Sequence, residues 1–218
     1  MALNAVTSRP VEPILLSEPM RPDQLPTPAL VLDRPTMEAN IQAMSDHLGR
    51  YGKGFRPHSK THKCPEIAKQ QLAAGAVGIC TAKVSEAAVM AKAGIDSILI
   101  TSPISTRHKA RVVNAIVTER ASLLLVVDSI EGLAALQAEI DDDKRIGLLL
   151  DLDASTGRTG LRSNDLMLRL LDTIQNDARF HFAGVQHYAG HVMHVPEFEQ
   201  RRDKSIRAWE RLTDKFAL

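Results

Sequence analysis

The chain has 218 residues, of which 44% are hydrophobic and 24% charged, a composition typical of soluble globular proteins rather than disordered, fibrous or membrane-spanning ones. Its 27 Lys and Arg residues nearly balance 26 Asp and Glu residues, so the net charge of +1 favours neither nucleic acid nor a membrane surface as a partner. With one Trp, two Tyr and five Phe, the core is expected to consist of aliphatic side chains, which suits helices packed on a parallel sheet.

Residues 1–24 are rich in proline and are predicted to form a loosely ordered arm. The longest apolar run of this arm, residues 14–16, is too short for a signal peptide or a membrane span. The two cysteines, Cys64 and Cys80, are too few and too far apart for a disulfide framework or a zinc knuckle, which favours a cytoplasmic location.

From residue 29 onward, short apolar runs alternate with helical patterns, which is typical of successive βα units. Apolar residues at helical spacing predict helices that include residues 35–50, 84–93, 106–119 and 164–176. Seven strands are predicted, at residues 29–32, 55–60, 77–81, 97–101, 122–127, 145–152 and 180–188.

A spacing of about 27 residues per unit favours an α/β fold of the (β/α)8 TIM-barrel type, which needs roughly 250 residues. A doubly wound sheet is the alternative, but the glycine-rich phosphate-binding turns of that class are missing. Seven units are followed by a helical pattern at residues 205–218. The chain is therefore expected to be a barrel truncated after about seven βα units, and to be inactive in isolation.

The second predicted strand is unusually basic. Period-two alternation places Arg56, His58, Lys60 and His62 on one face, where unpaired charge would be costly to bury, so an anionic partner is expected. A lysine crowded by other cations loses its preference for the ammonium form and becomes an amine nucleophile suited to Schiff-base chemistry. The alternative is a solvated basic loop just past the end of a strand.

Four stretches of the chain together resemble a known family. They read RPHSKTHKCPEIA at residues 56–68, LPTPALVLD at 25–33 with Asn40-Ile41 after it, GICTAKVSEA at 78–87 and GVQHYAGH at 184–191. The chain resembles the D-threonine aldolase and D-serine dehydratase family, which are pyridoxal-phosphate enzymes with an alanine-racemase-type N-terminal barrel. The resemblance implies a cofactor-binding barrel domain over residues 25–218, with the family's C-terminal β domain absent.

By this resemblance, Lys60 would form the Schiff base with pyridoxal 5′-phosphate, and His58 and His62 would orient it, with His58 assigned as the cofactor contact. The alternative for each is an inward histidine bonded to a backbone carbonyl. The segment GRTG at residues 157–160 resembles one that brings an arginine near the phenolic oxygen of the cofactor, a role that falls on Arg158. A guanidinium there would hold that oxygen as an anion. An N-capping turn with a solvated Arg158 is the alternative.

The seventh predicted strand ends in QHYAGHVMH at residues 186–194, which resembles a Y-x-G-x-x-x-H pattern. Gln186 and Tyr188 would lie beside the cofactor, and His194 would take the β-hydroxyl proton of the substrate, since histidine titrates near neutral pH. His191 is the rival for that role, and either histidine can instead be a surface residue of a loop.

The implied activity is that of a lyase that cleaves D-β-hydroxy amino acids, such as D-threonine or 3-hydroxy-D-aspartate, to glycine and an aldehyde. A dehydratase of D-serine or 3-hydroxyaspartate with the same cofactor, or an inactive cofactor-binding barrel, are the alternatives. The family also implies a homodimer in the full-length form and a divalent metal of the Mn or Mg type. The ligands of that metal would lie outside this chain, so no residue is assigned to it.

Overall fold

The computed structural model describes residues 20–117, 122–153 and 156–216. Most of the proposed arm, residues 1–19, lies outside the described residues. The chain divides into two units, Met1–Asn40 and Ile41–Leu218. Helix α1, Arg34–Arg50, runs through the boundary.

In the first unit, the described part before α1 contains a short 3₁₀ turn at Pro22–Gln24 but no strand. The prediction of a strand at residues 29–32 is therefore wrong for this structure. A strand needs a hydrogen-bonded neighbour, and the described residues of this unit contain no strand that could supply one. Their side chains are accordingly exposed, with Leu30 fully open to solvent.

The second unit contains one parallel sheet of five strands in the order β1-β2-β3-β4-β5. Each new strand is added beside the previous one, as in a barrel, whereas strand order reverses in a doubly wound sheet. The fold is thus α/β and a partial barrel of the TIM type, which confirms the predicted class. The strands are β1 Ile79–Thr81, β2 Ser97–Ile100, β3 Ser122–Val127, β4 Ile146–Leu152 and β5 Phe180–His187.

Helices alternate with these strands, as expected for βα units. Serine or threonine side chains cap three of them, because the hydroxyls of Thr106, Ser129 and Ser163 accept hydrogen bonds from first-turn N–H groups. The helices after α1 are α2 Pro65–Ala73, α3 Val84–Lys92, α4 Arg107–Ile116, α5 Ile130–Gln137, α6 Asn164–Gln175 and α7 Phe198–Phe216. No described helix is long and apolar enough to cross a membrane.

The core lies between the sheet and these helices and is aliphatic, as the composition predicted. Strand residues such as Leu125 and Leu148 are completely buried, and so are Val113 on α4 and Leu170 on α6. Phe180 is the one aromatic side chain among the buried residues that the structure describes. The helices therefore pack on the sheet through branched aliphatic side chains.

The second predicted strand, at residues 55–60, is wrong for this structure, which has only an isolated bridge between His58 and Cys80 there. The chain lies extended beside β1, where the N–H of Cys80 donates to the Pro57 carbonyl at 2.8 Å and the N–H of Ser59 donates to the Cys80 carbonyl at 2.8 Å. It then turns, because the N–H of Lys63 folds back to the Ser59 carbonyl at 2.7 Å. The predicted alternation therefore fails after Ser59, and Lys60 lies on a turn rather than in a strand.

The sheet curves strongly enough to join strands that are not neighbours. The Nε2 atom of Gln186, on β5, donates to the carbonyl oxygen of Thr101, just after β2, at 3.2 Å. Two strands lie between them in the sheet order. This contact brings residues 85 positions apart in sequence to one edge of the partial barrel.

Candidate active site

All five strands are parallel, so the residues that end them or follow them lie along one edge of the sheet. In barrels of this type, the C-terminal edge is where active sites are built. The residues that gather there include Thr81, Thr101, Asp151 and Tyr188, together with the turn that carries Lys60. The candidate active site lies at this edge.

Lys60 sits on a turn that is anchored on both sides. On one side, the buried Ser59 hydroxyl donates to the Cys80 carbonyl at 3.0 Å. On the other, the Nζ atom of Lys63 lies 3.4 Å from a carboxylate oxygen of Glu86, on α3. The Lys60 side chain is exposed between these anchors. The fold therefore presents this amine at the edge on a fixed backbone.

His58 lies beside Lys60 and is held in one tautomer. The backbone N–H of Lys60 donates to Nδ1 of the imidazole at 3.2 Å, so Nδ1 must be an acceptor. The Thr101 hydroxyl donates to the Thr81 carbonyl at 3.1 Å, so it accepts from Nε2–H of His58 at 3.2 Å. The ring is therefore neutral. Burial and then the nearby Lys60 charge lower the pKa of His58 below its ordinary value, which agrees with this assignment.

Two cations converge on the ring of Tyr188. The Lys60 Nζ atom lies 5.6 Å and the Arg158 Cζ atom 4.9 Å from the ring centroid. The neighbouring cations Lys63 and Arg162 are paired with carboxylates. By contrast, no described carboxylate lies within ion-pair distance of Lys60 or Arg158. Two such cations beside an aromatic face form a place for an anionic, planar ligand.

The segment that carries Arg158 folds back onto the end of β4. Thr159 donates its hydroxyl proton to Asp151 Oδ2 at 2.9 Å, and the N–H of Gly160 donates to Asp128 Oδ2 at 3.0 Å. Leu161 then lies beside Leu152 in a parallel bridge. This arrangement positions the exposed Arg158 side chain over the ring of Tyr188.

Gln186 links the two sides of the site. Its Nε2 donates to Asp151 Oδ1 at 3.0 Å as well as to the Thr101 carbonyl. The sequence indicated Gln186 but missed both of these partners. Asp151 was detectable as a lone carboxylate in the apolar run at residues 148–152, whereas nothing local distinguishes Thr101 from other threonines.

Two of the histidines that the sequence indicated lie on the segment that follows β5. The side chains of His191 and His194 are exposed, and neither side chain makes a hydrogen bond with a described residue. His187, which the sequence did not single out, is instead partly buried. Its ring packs on Trp209 with centroids 5.3 Å apart, and its buried Nδ1 atom has no hydrogen-bond partner among the described residues.

Comparison with known proteins identifies the family to which this chain belongs. The model of the alanine racemase N-terminal domain matches residues 32–217. The chain belongs to this family. It is 36% identical over 195 residues to a D-threonine aldolase of Arthrobacter sp., covering 87% of this chain and 51% of the relative. It is also 29% identical to a 3-hydroxy-D-aspartate aldolase of Paracoccus denitrificans, covering 85% and 48%.

Comparison with solved structures gives the same result as comparison with the curated relatives. The D-threonine aldolase from Filomicrobium marinum superimposes with a TM-score of 0.81 at 35% identity, covering 88% of this chain and 52% of that one. The D-threo-3-hydroxyaspartate dehydratase from Delftia sp. HT23 gives 0.68 at 27% identity, covering 88% and 52%. The resemblance seen in the sequence is confirmed, and the chain spans about half the length of the curated relatives it matches.

The residues at the edge fit pyridoxal 5′-phosphate, the cofactor that this family implies. Its aldehyde can react with an amine, its phenolic oxygen and phosphate can bind cations, and its ring can pack on an aromatic side chain. The matching groups here are the amine of Lys60, the guanidinium of Arg158 and the ring of Tyr188. The buried Thr81 hydroxyl also lacks a hydrogen-bond partner among the described residues. Within the described residues, no group of three or more His, Cys, Asp or Glu side chains is arranged to hold a metal ion.

Proposed function

We propose that this chain is the cofactor-binding barrel domain, residues 25–218, of a pyridoxal-phosphate-dependent lyase that cleaves D-β-hydroxy amino acids to glycine and an aldehyde. The observation that carries the proposal is the convergence of Lys60 and Arg158 on Tyr188 at the C-terminal edge of the sheet. The names of the relatives support D-threonine and 3-hydroxy-D-aspartate as substrates. When bound, the cofactor accepts the electrons of the bond that breaks at the substrate Cα.

In this proposal each side chain has a distinct task. The Lys60 amine would hold the cofactor through its aldehyde group, and the Arg158 guanidinium would bind its phenolic oxygen and favour the anionic form of that oxygen. The ring of Tyr188 packs beside both groups. His58 is neutral, so it adds no positive charge next to Lys60, and it fixes the start of the turn through the Lys60 N–H.

The proton of the substrate β-hydroxyl needs a base, and His194 is proposed for that step with His191 as its rival. Both histidines are exposed on the segment that follows β5, which leaves their imidazoles open to a substrate at the edge. Gln186 is proposed to lie by the cofactor, with its amide already held by Asp151. A divalent metal with ligands outside this chain, a homodimer and a cytoplasmic location complete the proposal.

The relatives also support a second candidate, a dehydratase. The chain is 30% identical to the D-threo-3-hydroxyaspartate dehydratase of Delftia sp., over 84% of its length. The two reactions share the cofactor and differ in the bond that breaks. Product analysis separates them, because the aldolase yields glycine and an aldehyde, whereas the dehydratase yields a keto acid and ammonia.

The cofactor assignment is tested by borohydride reduction of the purified protein with pyridoxal phosphate, followed by peptide mapping. We expect the pyridoxyl label on Lys60, and we expect Lys60→Ala to lose both the label and the visible absorbance of the bound cofactor. Lys69→Ala, on the exposed face of α2, is the matched control and should keep both. A label on another lysine, or retained absorbance in Lys60→Ala, would refute the assignment.

A further inference from the structure

Asp151 is a buried carboxylate that the proposed reaction does not use directly. It lies near the end of β4, in an otherwise aliphatic strand, and only 3% of its surface is exposed. Its two oxygens accept hydrogen bonds from neutral donors, Gln186 Nε2 at 3.0 Å and the Thr159 hydroxyl at 2.9 Å. No described cation lies within ion-pair distance of it. Burial of an ionised carboxylate without an ion pair costs free energy, so we expect this group to have a role in the site.

The charges near Asp151 act on it in opposite directions. Burial raises the pKa of its carboxyl, and the neighbouring Asp128 carboxylate raises it further. The hydrogen bonds of Gln186 and Thr159 lower that pKa, and so does the positive charge of Arg158. Among the described residues, Arg158 is the permanent cation whose field favours the ionised form of this buried group, although the two are not in contact as an ion pair. His187 also lies in the field of Asp151, but burial lowers the pKa of its imidazole.

Asp151 is also linked to Arg158 through the residue next to it in the chain. The hydroxyl group that donates a hydrogen bond to Asp151 belongs to Thr159, which follows Arg158. The following N–H, of Gly160, is held by Asp128. Two carboxylates thus hold the residues immediately after Arg158, Asp151 through the Thr159 hydroxyl and Asp128 through the Gly160 N–H. This limits the directions in which the guanidinium can point, and its Cζ atom lies 4.9 Å from the Tyr188 ring centroid.

The same carboxylate is connected to the turn that carries Lys60. From Asp151, hydrogen bonds run through the Gln186 amide to the Thr101 carbonyl. The Thr101 hydroxyl accepts from His58, and His58 accepts the backbone N–H of Lys60. A continuous belt of polar contacts therefore joins the two cations of the site across the edge of the sheet, with Asp151 near its Arg158 end.

We propose that Asp151 is a positioning residue that holds Arg158 against the cofactor site through Thr159 and through its charge. This inference rests on the proposed function, because it assigns a task toward the cofactor. It predicts that loss of the Asp151 charge weakens cofactor binding only while Arg158 is present. A carboxylate that merely supported the fold would weaken binding whether or not Arg158 was there.

A double-mutant cycle tests this prediction. Asp151→Asn removes the charge at nearly constant size, and Arg158→Ala removes the group on which it is proposed to act. The dissociation constant of pyridoxal phosphate is measured for both single variants, the double variant and the unmodified protein from quenching of Trp209. This is the one tryptophan of the chain, and it packs on His187 next to Tyr188.

We expect Asp151→Asn to weaken cofactor binding about tenfold in the unmodified protein and less than about twofold in the Arg158→Ala background, the non-additivity of coupled residues. Thr159→Val, which removes the hydroxyl donor from a partly exposed turn, should weaken binding in the same Arg158-dependent way. It keeps the test decisive should Asp151→Asn fail to fold. Asp143→Asn, on a carboxylate that is 77% exposed, is the matched control and should bind normally.

Equal losses in both backgrounds, or no loss at all, would overturn the role of Asp151. The visible absorbance of the bound cofactor gives a second readout. Its pH dependence should shift in Asp151→Asn and in Arg158→Ala, but not in Asp143→Asn. Failure of the proposed function is recognised separately, because borohydride would then leave Lys60 unlabelled in the unmodified protein. With Lys60 labelled and the mutational effects additive, only this inference fails.

Discussion

Substitution of Gly160 by alanine is expected to loosen the segment that presents Arg158. Gly160 has a φ of +101°, a backbone conformation that L side chains rarely adopt. A Cβ atom at this position would also lie 2.5 Å from the backbone nitrogen of Asp153 and 2.7 Å from the carbonyl carbon of Leu152. Both obstacles are backbone atoms, so no side-chain rotation can relieve the overlap.

The expected cost has two parts. The positive φ alone costs an alanine about 1–2 kcal/mol. Relief of the overlap would move Gly160 away from β4 and break the hydrogen bond from its N–H to the Asp128 carboxylate, now 3.0 Å long. A hydrogen bond to a charged group contributes about 1.5–3 kcal/mol. The free energy of unfolding should therefore fall by roughly 3 kcal/mol or more in Gly160→Ala.

Gly94 supplies a matched control, because its φ of +85° is also positive but no heavy atom lies within 4 Å of the position that a Cβ atom would take there. Gly94→Ala should lose only the backbone part, about 1 kcal/mol. Urea unfolding followed by circular dichroism measures both variants, and titration with pyridoxal phosphate should show weaker binding in Gly160→Ala alone. If Gly160→Ala were no less stable than Gly94→Ala, the close packing of this segment on β4 would be refuted.

Two further predictions concern buried titratable groups. Burial lowers the pKa of His58, His62 and His187, so the unfolded chain protonates them at higher pH than the folded one. The neutral histidines stabilise the folded chain fully above a pH of about 6.5, and this stability is lost as the pH falls through their lowered pKa values. The urea concentration at the unfolding midpoint should therefore drop between pH 7.5 and 5.5, and this drop should be smaller in His58→Gln. An equal drop of the urea midpoint in His58→Gln would contradict the lowered pKa of His58. Burial raises the pKa of the Cys80 thiol to about 11, so iodoacetamide at about pH 8 should leave it unlabelled until the protein unfolds. Peptide mapping checks this, and rapid labelling of native Cys80 would contradict it.

The alternation of βα units could be predicted from the sequence because it depends on local spacing. Apolar residues at helical period mark the face that packs on the sheet, and short apolar runs mark buried strands. The ranges predicted for β1 to β5 accordingly differ from the observed strands by two residues or fewer at each end. Lys60, the proposed Schiff-base lysine, could also be singled out from the sequence, because its basic neighbours lie within a few residues of it.

The partners of Lys60 were decided by the tertiary structure. Arg158 and Tyr188 reach the same place as Lys60 only because parallel strands end at one edge of a curved sheet. The belt through Thr101 and Asp151 joins residues as far as 85 positions apart, and neutral hydrogen bonds of this kind leave no periodic signal in a sequence. Alternation fails after Ser59 because a local hydrogen bond from the Lys63 N–H closes a turn, and the Lys63 side chain then pairs with Glu86 on α3. Local spacing thus determined which elements form, and the closure of the sheet determined which side chains meet.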